Sequence, residues 1–295
     1  MIGTPRKALA EAVATFLFVL AIIAAVNSGS PLTPLAIGFT LMVLVYSTGH
    51  ISGAHLNPAV SLGVFLRGGL SVADFVSYLV AQFAGGALAA LVALAVWPAG
   101  EKAMVIEVGP AFLVEALFTL ILVWVVLNSA TSKDTAGNSF YGLAIGATVF
   151  VGAATVGSIS GGGFNPAVAL GLSVSGHFAW GSLWLYIVAP AVGAIIAALL
   201  FRVLNADDAR KIAADRVEAS PRSAASLPGC GASSSRQRRR LRRRSAADVT
   251  ATTVPTITPM IVSSTRSVSR SATGVGAARC TIRSASGVTN TIAMP

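Results

Sequence analysis

Twelve residues occur twice in this chain in nearly the same form. Ser-Gly-Ala-His-Leu-Asn-Pro-Ala-Val-Ser-Leu-Gly begins at Ser52, and Ser-Gly-Gly-Gly-Phe-Asn-Pro-Ala-Val-Ala-Leu-Gly begins 108 residues later at Ser160. A second pair of similar segments begins with Glu-Ala, at Glu11 and at Glu115, 104 residues apart. Two copies of one unit at half-chain spacing restrict the chain to folds with two equivalent halves.

Six stretches are long and apolar enough to form membrane-spanning helices, since about 20 helical residues cross a hydrocarbon core of about 30 Å. The composition agrees, because 54% of the residues are hydrophobic and only 11% are charged. The six stretches are Ala8–Val26, Pro34–Ser47, Phe75–Trp97, Phe112–Asn128, Tyr141–Val156 and Trp180–Leu204. We therefore predict an all-α membrane protein.

Two further apolar runs are too short to span a membrane. Asn57–Phe65 follows the second stretch and Asn165–Val174 follows the fifth, and both stretches are themselves short. Irregular backbone at membrane depth is tolerated only where it is buried in protein or lines a water-filled cavity. The two runs are therefore predicted to be re-entrant half-helices beside an aqueous path.

Each half contains three spanning segments, which is an odd number. The second half must then enter the membrane from the opposite side, which gives an inverted repeat about an axis in the membrane plane. The predicted halves are about residues 6–97 and 110–204 of a channel domain that covers 1–204. In this arrangement the two half-helices meet near the middle of the bilayer.

Each residue of the repeated Asn-Pro-Ala sequence suits the start of such a half-helix. Asparagine is a favoured N-cap, proline fits the first helical position, and a small alanine lets two helix ends approach closely. Amide N–H groups at the cap could donate to a passing oxygen, while the positive helix ends repel cations. The predicted pore residues are Asn57, Pro58, Ala59, Asn165, Pro166 and Ala167.

The residues before each cap are predicted to be extended, with carbonyl oxygens that form a ladder of acceptors along the pore. Glycine lets the backbone come close to a solute at such positions. The ladder residues are Gly53, Ala54, His55 and Leu56 in the first half, and Gly161, Gly162 and Gly163 in the second.

The histidines do not suggest a metal site, because His50 and His55 have no third ligand nearby in the sequence. We interpret both as polar groups at a pore mouth. His177 falls in an outer loop and is assigned no function.

The duplicated motif, together with the two Glu-Ala helix starts, resembles the aquaporin and glycerol-facilitator family. The resemblance covers about residues 6–204. It implies a passive channel for water or small uncharged solutes, a homotetramer in the lipid bilayer, and no cofactor or reaction. It also implies that Glu11 and Glu115 brace the re-entrant loops from behind.

One position departs from the family pattern. Most members have arginine directly after the second Asn-Pro-Ala, at the outer constriction, whereas this chain has Val168. The resemblance places the other three filter positions at Ile37, Ala153 and Gly162. A wider, less polar filter that admits glycerol, urea or ammonia is one expectation, and an apolar plug formed by Ile37 or a loop side chain is the other.

Two other functions are weighed against a passive channel. A secondary transporter of a small neutral solute would also use inverted repeats and broken helices. It needs an acid, a base or an ion pair to bind a coupling ion, and apart from Glu11, Glu115 and Asp74 the spans contain none. A membrane enzyme needs a nucleophile with a base, or a metal cluster, and the sequence indicates neither.

The positive-inside rule gives an orientation in which both termini are cytoplasmic. Lys102 alone would then lie outside, and the predicted location is the plasma membrane. The cytoplasmic side would collect Arg6, Lys7, Arg67, Lys133 and Arg202.

The composition changes after the last span. Sixteen of the 21 Lys and Arg residues follow Phe201, including a dense block at Arg236–Arg244. Such a segment is predicted to be a disordered, basic tail over residues 205–295. The block could bind anionic lipid or nucleic acid, but the preferred interpretation is a tail under little constraint, or even an out-of-frame reading of a GC-rich gene. No nucleic-acid partner is therefore expected, and Cys230 and Cys280 are interpreted as free thiols.

Overall fold

The computed structural model describes residues 2–208 and two short segments of the C-terminal region. Within residues 2–208, six helices are long and apolar enough to cross a membrane, and two shorter helices lie between them. The spanning helices are α1 (Thr4–Asn27), α2 (Thr33–Ser52), α4 (Val72–Ala93), α5 (Val108–Val126), α6 (Tyr141–Ser160) and α8 (Leu183–Leu204). The half-helices are α3 (Pro58–Arg67) and α7 (Pro166–Val174). This architecture confirms the predicted fold class.

Short turns of other helix types extend two of these elements. A π-helical turn, Leu127–Thr131, continues α5, and 3-10 turns lie at Lys133–Thr135 and Trp180–Ser182. The π turn and the first 3-10 turn connect α5 to α6 on the side of the molecule where α3 ends.

The second and fifth spans are longer than the sequence predicts. Both α2 and α6 have 20 residues, because helical backbone continues past the apolar run into Ser and Gly positions. Each ends at a left-handed glycine, Gly53 with φ 93° and Gly161 with φ 84°. A glycine in this conformation is a common helix terminator, and it marks the helix end better than hydrophobicity does.

The two halves pack against each other through α2 and α6, which cross at glycines. A Cβ atom placed on Gly38 would lie 2.7 Å from the Gly146 carbonyl oxygen, and one on Gly146 would lie 2.4 Å from the Gly38 oxygen. These glycines are 108 residues apart, which is the offset of the duplicated motif. Small residues at such a crossing let helix backbones approach closely in a membrane.

The packed structure continues four residues beyond the predicted channel boundary at residue 204. Asp208 is only 1% exposed, and its carboxylate pairs with Arg67 at the end of α3. The same carboxylate accepts the Lys133 backbone N–H at 2.7 Å. The predicted boundary followed the end of an apolar run, and a buried ion pair leaves no such signal in hydrophobicity.

We expect a chain that ends after Asp208 to insert and conduct like the full chain. Asp208→Ala in that shortened chain should lower its stability by about 3–5 kcal/mol, because the 5% exposed Arg67 side chain would keep a buried charge without its partner. Thermal unfolding in detergent measures the difference. Glu101→Ala, which removes an exposed carboxylate in the loop before α5, is the matched control and should leave the midpoint unchanged. Equal midpoints for the two variants would contradict the prediction.

The chain divides into two units, Met1–Leu227 and Pro228–Pro295. In the second unit the strands β1 (Arg279–Arg283) and β2 (Thr289–Ala293) pair as an antiparallel hairpin, with Thr281 opposite Thr291. The sequence predicts no regular structure here, but these segments contain Thr and Ile, which favour extended backbone. Cys230 and the arginine block lie outside the described residues.

Candidate functional site

Each Asn-Pro-Ala sequence begins a half-helix. Asn57 has extended backbone and caps α3, because its Oδ1 accepts the Ala59 N–H at 2.8 Å. Asn165 caps α7 in the same way, with its Oδ1 accepting the N–H of Ala167 at 3.0 Å and that of Val168 at 3.4 Å. Pro58 and Pro166 occupy the first helical positions, where a missing N–H costs nothing.

The two asparagines also join the halves of the molecule. Asn57 Nδ2 donates to the Phe164 carbonyl oxygen at 2.9 Å, and Asn165 Nδ2 donates to the Leu56 carbonyl oxygen at 2.8 Å. Leu56 and Phe164 both have positive φ, 50° and 45°, a conformation that is unusual for residues other than glycine. Each amide nitrogen has two hydrogens, so one remains for another acceptor.

A buried glutamate stands behind each re-entrant loop. Glu11 accepts the backbone N–H groups of His55 at 3.0 Å and Leu56 at 2.7 Å, and also the Ser52 hydroxyl at 2.6 Å. Its side chain is fully buried, and Gln82 donates to it at 2.8 Å. The carboxylate thus uses the donors of the loop, which leaves the loop carbonyl oxygens for other partners.

Glu115 repeats this arrangement in the second half. It accepts the N–H groups of Gly163 at 2.8 Å and Phe164 at 2.6 Å, and the Ser160 hydroxyl at 2.7 Å. Within residues 2–208 no glutamine supports it, since Pro190 occupies the position equivalent to Gln82. The second loop therefore depends on fewer side-chain contacts than the first.

Two serines and two tyrosines belong to these networks and are missing from the sequence predictions. Tyr78 donates to the Ser52 carbonyl oxygen at 2.6 Å, and Tyr186 donates to that of Ser160 at 2.5 Å. The two tyrosines are 108 residues apart, and so are the two serines, so aligning the two halves beyond the motif is a signal that could have found them.

One cavity of about 300 Å³ runs beside both half-helices. Its lining includes Asn57 and Asn165 and the four predicted filter positions Ile37, Ala153, Gly162 and Val168. Many other lining residues form pairs at the repeat offsets, such as Val60 with Val168 and Phe18 with Leu122. The ladder residues on this cavity are Ala54, His55, Leu56, Gly161, Gly162 and Gly163.

Gly53 and His50 do not line the first cavity but a second one. This second cavity, of about 320 Å³, is lined by the ends of α2 and α5 and by the segment that precedes α6. His50 is exposed there. His55 is instead 8% exposed, with Nδ1 3.0 Å from the Ser61 hydroxyl and its ring against Tyr78.

Four residues at the far end of the first cavity come from loops and were not predicted. The Met104 N–H donates to the His177 carbonyl oxygen at 2.9 Å, which joins the loop before α5 to the segment after α7. Burial lowers the pKa of His177, which disfavours the charged form of its ring, and Lys102 lines the same cavity. The four lining residues are Lys102, Met104, His177 and Phe178.

Comparisons with known proteins find a matching family and several relatives. The family model described as Major intrinsic protein matches residues 2–201. The chain is 38% identical to glycerol uptake facilitator protein-like 6 of Lactiplantibacillus plantarum, over 69% of this chain and 100% of that protein. It is 33% identical to the probable aquaporin NIP7-1 of Arabidopsis thaliana, over 68% of this chain and 77% of the relative.

A solved structure shares the fold. The aquaglyceroporin of Plasmodium falciparum superposes with a TM-score of 0.59 at 21% identity, and the match covers 68% of this chain and 96% of that one.

Proposed function

This chain belongs to the major intrinsic protein family, whose members are passive channels and not enzymes, and within that family we propose that its pore has a wide, apolar outer filter. The chain is a multi-pass membrane protein and a channel for water and small solutes. The proposal adds that glycerol and urea pass as well as water, and that ammonia passes too.

The observation that supports this proposal is the set of four filter side chains on one cavity. Ile37, Ala153, Gly162 and Val168 all line it, and none of them carries a charge or a hydrogen-bonding side chain. A solute that enters a filter exchanges hydration for contacts with the wall. A wall without polar side chains discriminates less strongly in favour of water, and small side chains leave room for a larger solute.

The other expectation for the outer filter, an apolar plug formed by Ile37 or a loop side chain, is less well supported. The same cavity is lined by the filter residues Ile37 and Val168 and also by Ile145 and Val149 of α6. The cavity therefore has lining residues from both halves and is not confined to the four filter positions.

Inorganic cations are expected to be excluded although the arginine is absent. The positive ends of α3 and α7 meet where Asn57 and Asn165 cap them, and each amide keeps one donor hydrogen. These donors suit a neutral oxygen and repel a cation.

Coupled transport receives no support from the buried carboxylates. Glu11 and Glu115 each accept two backbone N–H groups and one serine hydroxyl, and Asp74 pairs with Lys7 at 2.8 Å. An ion-coupling site needs a carboxylate that can exchange partners, and these are engaged in holding loops and helices.

The same proposal includes a plasma-membrane location, cytoplasmic termini and a homotetramer. Arg67 pairs with Asp208, whose carboxylate also accepts the Lys133 backbone N–H, and Lys7 pairs with Asp74 near the start of α1. Positive residues gathered in short connections mark the cytoplasmic face. The tetramer is carried over from the family resemblance.

Flux measurements on proteoliposomes test the proposed function. We expect water, glycerol and urea permeabilities well above those of protein-free liposomes after osmotic shock, and no conductance for sodium or potassium. Ammonia uptake is followed by a pH-sensitive dye inside the vesicles. Water flux without glycerol or urea flux would contradict the wide filter, and the absence of all fluxes from correctly inserted protein would contradict the channel.

A further inference from the structure

Two side chains outside the four filter positions converge on the start of the second re-entrant loop. A Cβ atom placed on Gly161 would lie 2.5 Å from the Phe178 ring and 3.3 Å from the Met104 sulfur. Gly161 directly precedes the filter position Gly162, and all of these residues line the same cavity. The phenyl ring and the thioether therefore lie beside the filter, at its outer side.

Phe178 occupies the place that His55 has in the other half of the molecule. The His55 ring contacts Tyr78 with centroids 5.2 Å apart, and the Phe178 ring stacks on Tyr186 at 4.6 Å. Both rings also cover a left-handed glycine, since a Cβ atom on Gly53 would lie 3.2 Å from His55. One half thus has a polar ring at this place, and the other half has an apolar one.

Phe178 can occupy this place because the residue equivalent to His55 in the second half has no side chain. That residue is Gly163, 108 positions later, and its place against Tyr186 is filled from the segment after α7. Phe178 is 6% exposed and Tyr186 is 1% exposed, so the ring is fixed by packing.

Met104 is held beside Phe178 by backbone hydrogen bonds between two loops. Its N–H donates to the His177 carbonyl oxygen at 2.9 Å, and the Gly100 N–H donates to that of Ser175 at 3.0 Å. These bonds fix the loop before α5 against the mouth of the cavity. The next residue, Val105, is 93% exposed and does not line the cavity.

We propose that Met104 and Phe178 form a second, apolar constriction that limits the size of the solutes passing the outer filter. The proposal rests on the proposed channel function. Neither a thioether nor a phenyl ring offers a strong hydrogen bond to a solute. The constriction therefore selects solutes by their size and not by hydrogen bonding. Met104 can change the width of the constriction, because its unbranched side chain is flexible although its backbone is fixed.

The first test compares Met104→Ala with Val105→Ala in proteoliposomes. Shortening Met104 should raise the flux of glycerol and of a four-carbon polyol, relative to water, by roughly tenfold, the scale of a small volume change in an apolar pocket. Val105→Ala should leave the ratio unchanged. Equal ratios for the two variants would overturn the proposal.

The second test uses thiol modification in a chain whose own cysteines are replaced, Cys230→Ser and Cys280→Ser. Met104→Cys, treated from outside with a bulky methanethiosulfonate, should lose most of its water and glycerol flux, and Val105→Cys should keep it. Labelling of Met104→Cys without loss of flux would overturn the proposal.

Phe178→Leu provides a variant that keeps an apolar side chain against Tyr186. It should fold and raise the polyol-to-water ratio, because the ring edge beside Gly161 is removed. The parent channel, measured in each preparation, separates the two hypotheses. Parent protein without solute flux would contradict the proposed function, whereas a conducting parent with unaltered variants would contradict only the second constriction.

Discussion

Replacing Glu115 with alanine should abolish conduction and destabilise the protein by several kcal/mol. The change leaves the N–H groups of Gly163 and Phe164 and the Ser160 hydroxyl without their acceptor. Each buried donor without a partner costs about 1–3 kcal/mol. Stopped-flow water permeability and thermal unfolding in detergent measure the two effects.

The loss of conduction follows from the position of the second loop. Phe164 provides the carbonyl oxygen that accepts from Asn57 at 2.9 Å, so moving the loop also separates the two halves at the centre of the pore. Glu115→Gln should lie between the parent and Glu115→Ala, because the amide keeps one acceptor oxygen.

Glu107→Ala is the matched control, since this glutamate is exposed and its side chain does not cap α5. It should behave as the parent. A Glu115→Ala protein that is as stable and as permeable as the parent would show that the loop does not need its carboxylate.

Replacing Val168 with arginine should lower glycerol and urea flux by about tenfold relative to water flux, which corresponds to about 1.4 kcal/mol in the barrier. The guanidinium adds length, positive charge and up to five donors to a set of four filter positions whose side chains now have neither charge nor donors. Ala153 and Gly162 line the same cavity and leave space for the longer side chain. Parallel osmotic-shock measurements with water, glycerol and urea give the ratio.

Val168→Met separates the effect of length from that of charge. Methionine narrows the cavity without adding donors or charge, so it should reduce glycerol flux with a smaller gain in selectivity for water. A ratio that is the same in the parent, Val168→Met and Val168→Arg would show that position 168 does not control the filter.

Most of the fold follows from local sequence. The half-helices were predicted from two apolar runs that are too short to span and from Asn-Pro starts that supply their own caps, and the Asn57 Oδ1 indeed accepts an N–H only two residues away. The span boundaries were less accurate, since α2 and α6 end at Gly53 and Gly161 and not where the apolar runs stop. Backbone conformation at a glycine is not visible in hydrophobicity.

The residues of the candidate site were predictable only where they belong to the duplicated segments or to the family pattern. Glu11 and Glu115, the asparagines and the four filter positions came from the duplication and the family resemblance, and the structure places the filter positions on one cavity. Lys102, Met104, His177 and Phe178 lie in loops of irregular backbone, where neither periodicity nor the repeat gives a signal.

The sequence by itself determined the number of spans, the inverted halves and the two capped half-helices, because each depends on hydrophobic length or on contacts within a few residues. Only the tertiary structure decided that Asn57 bonds to Phe164, that Phe178 takes the place of a missing side chain at Gly163, and that Asp208 pairs with Arg67. These pairings join residues that are distant in the chain or that do not occupy equivalent positions in the two halves. Their partners are selected by the packing of whole helices, and no local pattern records that packing.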